Sequence, residues 1–351
     1  MALPPALADQ LIAADYIGAD FPRCQVTSRI WLTRAPKSGD ILELWRHPSR
    51  AVTTTWGALW QALRARIPSE NYFPGAPVSS VLKDDAQAAV LRQDGTLTRH
   101  TLVAGADGHR SLVRAQVDSE AAPAYAGYSL WRGTVDPQIL SDPALVMDLL
   151  DNAYVTVVFP GGHAVFYPIP DAAGHSCSPH LINWVLYAAP ARGGDSPDML
   201  PFVHDLASRH LPHAWSEVVH RSDAARMAVH PVYDLPLTRY TRFPFFLAGD
   251  ASTIARPHAA SGAAKALGDA MEFERLLASG GASCWEEVLD LYNRARVPRG
   301  NQLVDVGRRI GQHQVAQTPD WPTMQPCDMR TLTQKTLAGR KHYLYDGTTT
   351  P

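Results

Sequence analysis

Phe245-Phe-Leu-Ala-Gly-Asp-Ala-Ser-Thr-Ile-Ala-Arg-Pro-His-Ala-Ala-Ser-Gly-Ala-Ala-Lys265 is the stretch that decides the fold. Its apolar opening, Phe245–Ala248, reads as a buried strand that delivers Gly249-Asp250 at its carboxyl end. A loop through Pro257-His258 then leads into a helix that begins in small residues, Ala259 to Ala264. The first N–H groups of a helix lack intrahelical partners, and its dipole is positive there, so this corner suits negative charge. Small side chains let a flat ring lie against it, and Asp250 is placed to bond a sugar-like hydroxyl. A tightly packed helix start would also use small residues, but it has no need of Gly-Asp, Pro-His and Ser-Gly in that order. The candidate contacts are Gly249, Asp250, Pro257, Ala260, Ser261, Gly262, Ala263 and Ala264.

Working outward, Leu102-Val-Ala-Gly-Ala-Asp-Gly-His-Arg-Ser-Leu-Val-Arg114 is a second strand–turn–helix corner. Asp107 at the strand's end can accept hydrogen bonds from a ribose or a nearby amide, and Gly108 lets a ligand approach the backbone closely. Arg114 and Ser111 fall on the first turns of the following helix. A generic corner in which Asp107 merely caps the helix stays open beside the cofactor reading. Val81, on the strand-like run Pro77–Leu82, joins the candidate contacts.

The rest of the chain frames these corners. Helical spacing of Trp56, Leu59, Trp60, Leu63 and Ile67 ends at Pro68, and Ala88–Arg92 is strand-like with an Asp94-Gly95 turn. From Tyr125 to Pro236 short β-rich runs alternate with turns, among them Tyr154–Phe159, Ala164–Ile169 and His180–Tyr187, with one helix at about Met199–Leu211. Helices are expected from about Gly262 to Leu277 and from Trp285 to Gln312, and an irregular tail from Thr318. The 351 residues are 46% hydrophobic and 19% charged, a globular composition, and the formal net charge of -2 gives no basic field for nucleic acid or anionic membrane. No apolar run is long enough to span a bilayer. Met1–Asp20 has no basic residue, unlike a secretory signal, and Cys24, Cys177, Cys284 and Cys327 form no CxxC pair. A cytoplasmic setting without a metal site is therefore expected. His204, His210 and His213 do not share one helix face.

About 140 residues apart and in this order, the two corners resemble the second and third flavin fingerprints of aromatic hydroxylases related to p-hydroxybenzoate hydroxylase. Within that family the chain is most similar to the 2,6-dihydroxypyridine 3-monooxygenase branch. The residues carrying this are Arg256–Lys265, Tyr125-Ala-Gly-Tyr-Ser-Leu-Trp-Arg-Gly133 and Ile182-Asn-Trp-Val-Leu-Tyr187. Thr54-Thr55-Trp56 with Leu59, and Gly307-Arg-Arg-Ile-Gly311, also fit. The resemblance covers roughly Ala51 to Gly311.

It implies an α/β, Rossmann-like FAD domain with an inserted, mostly antiparallel β-sheet substrate domain. The expected boundaries are 1–120 and 237–316 for the FAD domain, 121–236 for the substrate domain and 317–351 for the tail. The family begins with a βαβ unit carrying GxGxxG, and no such motif occurs in this sequence, so an FAD domain incomplete at its N-terminus is expected. The implied activity is hydroxylation of a small hydroxylated aromatic or N-heteroaromatic ring with NADH or NADPH and O2, through a flavin C4a-hydroperoxide. A truncated or degenerate homologue, or an epoxidase or dehydrogenase of a larger metabolite, is the alternative. His258 is the candidate for proton transfer with the substrate, because an imidazole titrates near neutral pH. Trp131, Arg132, Tyr167, Trp184 and Tyr187 are the candidate substrate contacts, either as pocket walls or as sheet core. A homodimer is compatible with the resemblance.

Overall fold

The computed structural model describes residues 1–171, 181–189, 199–280, 284–338, 340, 342 and 344. Cys177, His180 and the tail end 347–351 lie outside them. In chain order the elements begin with β1 (Ala2–Leu3), α1 (Pro5–Ala13), β2 (Cys24–Arg34), β3 (Ile41–Thr53) and α2 (Trp56–Arg64). Then come β4 (Val78–Asp84), β5 (Gln87–Arg92), β6 (Leu97–His100), β7 (Val103–Gly105), α3 (Arg114–Val117), β8 (Ala124–Val135) and α4 (Pro143–Leu150). Next are β9 (Ala153–Phe159), β10 (Gly162–Ile169), β11 (Leu181–Ala188), α5 (Met199–His210), α6 (His213–His220) and β12 (Ala228–Asp234). The chain ends with β13 (Thr241–Arg242), β14 (Phe245–Leu247), α7 (Gly262–Ala278), α8 (Trp285–Gly311) and α9 (Pro326–Leu337).

Contacts divide these into two units: Met1–Arg64, Gly127–Val232 and Arg309–Pro351 form the first, and Ala65–Ala126 with Tyr233–Arg308 the second. The first is built on an eight-stranded sheet in the order β1-β3-β2-β9-β10-β11-β8-β12. The expected β-rich insertion is there, but Met1–Arg64 belongs to the same unit instead of to the FAD domain. The reason is register: β2 pairs parallel with β9 and antiparallel with β3, so the first hairpin extends the sheet. Alternation sorts the sheet's side chains onto two faces. Ile30, Val155, Val157, Phe166, Trp184 and Leu186 point into a core closed by Val146 and Leu150 of α4, Val203 of α5 and Trp215 of α6. The opposite face carries Arg29, Tyr154, His163, Tyr167, Asn183 and Tyr187, and is far more polar.

The tail also departs from expectation, since 326–337 is the helix α9. Pro326 suits its first position, Gln325 and Asp328 form a reciprocal capping box, and Met329 and Leu337 are buried.

In the second unit β14 pairs parallel with β7, aligning Leu247 with Gly105, and β13 completes a three-stranded sheet; β4, β5 and β6 form another. Its core gathers Val81, Val113, Tyr240, Phe245, Leu247 and Tyr292. Gly105 is required here by packing: a Cβ would stand 2.6 Å from the Val113 Cβ and 2.9 Å from Leu247. Thus α3 rests directly on the strands that deliver both corners.

Candidate functional site

The Gly249 corner is held from beneath by buried charges. Strand β14 ends at Leu247, and the chain turns through Gly249 (φ 59°) into the 249–251 turn. The Gly249 N–H donates to Asp269 Oδ2 at 2.9 Å. Lys265 Nζ donates to the Gly249 carbonyl (2.7 Å), Ser252 Oγ (2.6 Å) and Asp269 Oδ2 (2.8 Å), and Arg296 Nε reaches Asp269 Oδ1 at 2.6 Å. The side chains of Lys265, Asp269 and Arg296 are 1%, 0% and 6% exposed. Burial lowers the Lys265 pKa, while Asp269 and Asp250 pull it back up. Asp250 itself keeps an edge open to solvent, yet the crowding around it raises its carboxyl above the usual range against the pull of Lys265, His109 and Arg114. The sequence reading missed this network. The i, i+4 spacing of Lys265 and Asp269 on a helix was its one local signal; Arg296 arrives from another helix.

Asp107 bonds nearby amides. Its Oδ2 accepts the N–H groups of Leu112 (2.7 Å) and Val113 (3.3 Å), so the carboxylate organises the turn before α3. Gly108, at φ 76° with open space beside it, allows that turn. Arg114 is 5% exposed and is a clamp between the two corners. It donates to the carbonyls of His109 (2.8 Å) and Gly108 (3.3 Å) on one side and of Asp250 (2.7 Å) and Ala251 (2.8 Å) on the other. Arg114 therefore shapes the corner instead of reaching out of it. Val81 is a core residue, paired with Val90.

The loop before α7 is anchored just as firmly. Asp234, 1% exposed, accepts from Arg256 Nε at 2.7 Å and from Arg308 Nη2 at 2.6 Å. Burial works to raise its pKa, but hydrogen bonds from Arg308 and Arg256 prevail and hold it low. Gly307 lets α8 press on Arg256, whose Cβ would lie 3.0 Å from an added Cβ. Pro257 is exposed, His258 is 6% exposed, and Ala260 takes a left-handed conformation (φ 49°) that turns the chain into the helix. Ser261 spends its hydroxyl on the Ala259 carbonyl and caps no amide of α7. Gly262 is exposed, Ala263 and Ala264 are half-buried, and a Cβ on Gly262 would meet nothing within 4 Å. The corner thus offers an open, small-residue helix start with uncapped amides. A flat, electron-accepting ring such as that of a flavin fits it.

In the first unit, the five expected substrate contacts are divided between the faces. Trp184 is fully buried in the helix-covered core and donates Nε1–H to Ser222 Oγ at 2.7 Å. Trp131 is 3% exposed in the same core, against Phe202. Both are sheet core: residue parity on β8 and β11 turns them away from the polar face. Arg132, Tyr167 and Tyr187 share that polar face. Tyr167 stacks on Tyr154 (centroids 5.1 Å apart) and Tyr187 on His163 (4.6 Å). Burial pushes the Tyr167 hydroxyl up to about 12, opposed by the Arg132 charge and the neighbouring Asn183 amide. Arg29, 2% exposed, lies over the Trp31 and Tyr154 rings and donates to Thr156 Oγ1. Burial and Arg29 together hold His163 down to about 3 and His47 to about 4, so both imidazoles are neutral.

Residues 64–306 match the FAD binding domain family. 2,6-Dihydroxypyridine 3-monooxygenase of Paenarthrobacter nicotinovorans is 28% identical over 239 residues, 62% of this chain and 58% of that protein. The chain spans less than two thirds of the length of the first curated relatives it matches. Among solved structures, 2,6-dihydroxypyridine-3-hydroxylase from Arthrobacter nicotinovorans superposes with a TM-score of 0.79 at 20% identity, over 93% of this chain and 85% of the other. Klebsiella pneumoniae HpxO complexed with FAD and uric acid gives 0.73 at 18%, over 96% and 82%. These likenesses agree with the α/β fold.

Proposed function

The chain belongs to the FAD binding domain family, and from that premise we propose that it is an FAD-dependent monooxygenase. It hydroxylates a small hydroxylated aromatic or N-heteroaromatic ring with NADH or NADPH and O2. The observation that carries this reading is the Gly249–Gly262 corner: a rigid turn, uncapped amides and an open small-residue helix start. Relatives that act on 2,6-dihydroxypyridine, 3-amino-4-hydroxybenzoate and salicylate support the small-ring substrate class.

When bound, FAD supplies the hydride acceptance and oxygen activation; everything else falls to the side chains. Gly262, Ala263 and Ala264, whose backbone N–H groups open α7 at its positive dipole end, would hold the ring. Asp250, with its exposed edge, accepts a hydroxyl of the cofactor's chain. His258, beside Pro257 in the anchored loop, takes the proton that a phenol-type substrate must lose to become nucleophilic. On the sheet, Arg132 draws an anionic oxygen of the substrate, and Tyr167 and Tyr187 give a flat aromatic border.

The test is turnover of the FAD-supplemented chain, with NAD(P)H oxidation and hydroxylated product measured separately. His258→Ala is expected to keep NAD(P)H oxidation and lose at least ten-fold in hydroxylation. Unchanged hydroxylation removes the role assigned to His258, and absence of product from every small ring tried removes the monooxygenase reading.

A further inference from the structure

The polar sheet face is buried at one end and accessible at the other. Tyr154, Thr156 and Val158 of β9 and His163, Val165 and Tyr167 of β10 are all buried. Across β11 and β8 the pairs on this face are Asn183 with Thr134, Val185 with Arg132 and Tyr187 with Leu130. Tyr187 and Leu130 are buried as well. Asn183, Thr134 and Val185 are half-buried, and Arg132 is exposed. The accessible part of these pairs is therefore a block of four residues, two on each strand.

Sheet geometry sets the size of that block. Paired residues stand about 5 Å apart across the strands, and successive residues of one face about 7 Å apart along them. Two by two, the block has the footprint of a single six-membered ring. Its borders are tall: Tyr187 is the next residue of the face along β11, and Tyr167 stands opposite Asn183 on β10. Val185 is the apolar member of the four, and covering its open surface with a ring face is favourable. Arg132 stands directly opposite Val185 and forms no ion pair among the described residues. An apolar seat and a cation therefore adjoin, the cation carried on a stem that can itself lie along apolar surface.

We propose that Val185 is a specificity-determining residue: the face of the substrate ring rests on it, and the block around it admits one ring and not a fused pair. The side chain is short, so it leaves room above the strand that a larger residue would fill. A second fused ring would extend past the block into the buried tyrosine border, where the packing does not yield without strain. This inference rests on the reading that the polar face receives the substrate. It adds to that reading the residue that carries the ring and the limit on ring size.

The test is equilibrium binding of benzoate and 2-naphthoate to the full chain and to three variants by calorimetry, with circular dichroism as the check on folding. The intact chain is expected to prefer benzoate over 2-naphthoate by roughly ten-fold or more. Val185→Phe should weaken benzoate by about ten-fold or more, because the added ring occupies the seat. Val185→Thr keeps the shape and adds a hydroxyl, and should still weaken benzoate by roughly three-fold. Leu181→Phe is the control, since Leu181 is half-buried on the same face of β11 but lies outside the block; benzoate binding should stay within about two-fold. Unchanged benzoate binding in Val185→Phe or Val185→Thr, or an equal loss in Leu181→Phe, overturns the seat while leaving the monooxygenase reading standing. Equal affinity of the intact chain for the two acids overturns the limit to one ring. Failure of both acids to bind overturns the substrate face itself, and the seat with it.

Discussion

The Gly249 corner of the second unit and the polar sheet face of the first both concentrate charge, and they treat it in opposite ways. In the corner the buried cations are consumed, Arg114 by four backbone carbonyls and Lys265 and Arg296 by Asp269, while the more exposed Arg256 and Arg308 pair with Asp234. What the corner shows a ligand is backbone, small side chains and the exposed edge of Asp250. The sheet face keeps Arg132 exposed and holds the imidazoles beside Arg29 neutral. The difference teaches that charged residues inside a cofactor motif can serve entirely as its frame.

The sharpest way to break this contrast is to take out the corner's shared anion. Asp269→Ala leaves Lys265 and Arg296 buried without the carboxylate both are bonded to, and the expected loss is about 3–5 kcal/mol in denaturant unfolding. A loss below about 1 kcal/mol would mean that the network is wet and loosely held.

Next comes acid. His163 titrates near 6.5 when unfolded and near 3 when folded. The unfolded chain therefore binds more protons in that window, and stability present above pH 6.5 is lost as pH falls toward 3. Relative to a His163→Phe variant, the natural chain should lose about 3 kcal/mol more between pH ~7 and ~4. Parallel pH dependences of the two proteins would place a charged imidazole on the face.

Arg114→Met strips donors from carbonyls on both sides of the clamp and should cost about 2 kcal/mol, with faster amide exchange at 249–252. Smallest is Arg132→Met, which should stay within about 0.5 kcal/mol in the same unfolding assay. Were Arg132 to matter as much as Arg114, the distinction between frame and chemistry would collapse.

Much of this was legible in the sequence, for reasons that differ by region. Phe245–Ala248 and Gly262 to Leu277 are continuous in pattern, so β14 and α7 follow from apolar runs and small-residue spacing. The sheet strands around Tyr154–Phe159 and Ala164–Ile169 were readable for the same reason. Residues 1–53 were not, because β2 and β3 are polar on alternate or irregular positions and their register shifts at bulges near Val26 and Trp31. Gly249 and Asp250 follow β14, and α7 opens in small residues, as the sequence pattern reads. Asp107 and Arg114 could not be told from ligand contacts, since a cap and a ribose acceptor look alike in sequence. For Trp131 and Trp184 the sheet-core alternative is the one that holds; the sequence could not choose it, because aromatic content says nothing of which face a strand residue takes and a one-residue step reverses it.

The central claim is that the Gly249–Gly262 corner seats FAD, and direct titration of the purified chain with FAD, followed by flavin fluorescence, tests it. A Gly262→Trp variant provides the contrast, because a side chain there enters open space and need not disturb the fold. The account predicts saturable quenching by the natural chain and at least a ten-fold weaker interaction in the variant, with unchanged circular dichroism. No saturable binding by the natural chain, or equal binding by both, would contradict it.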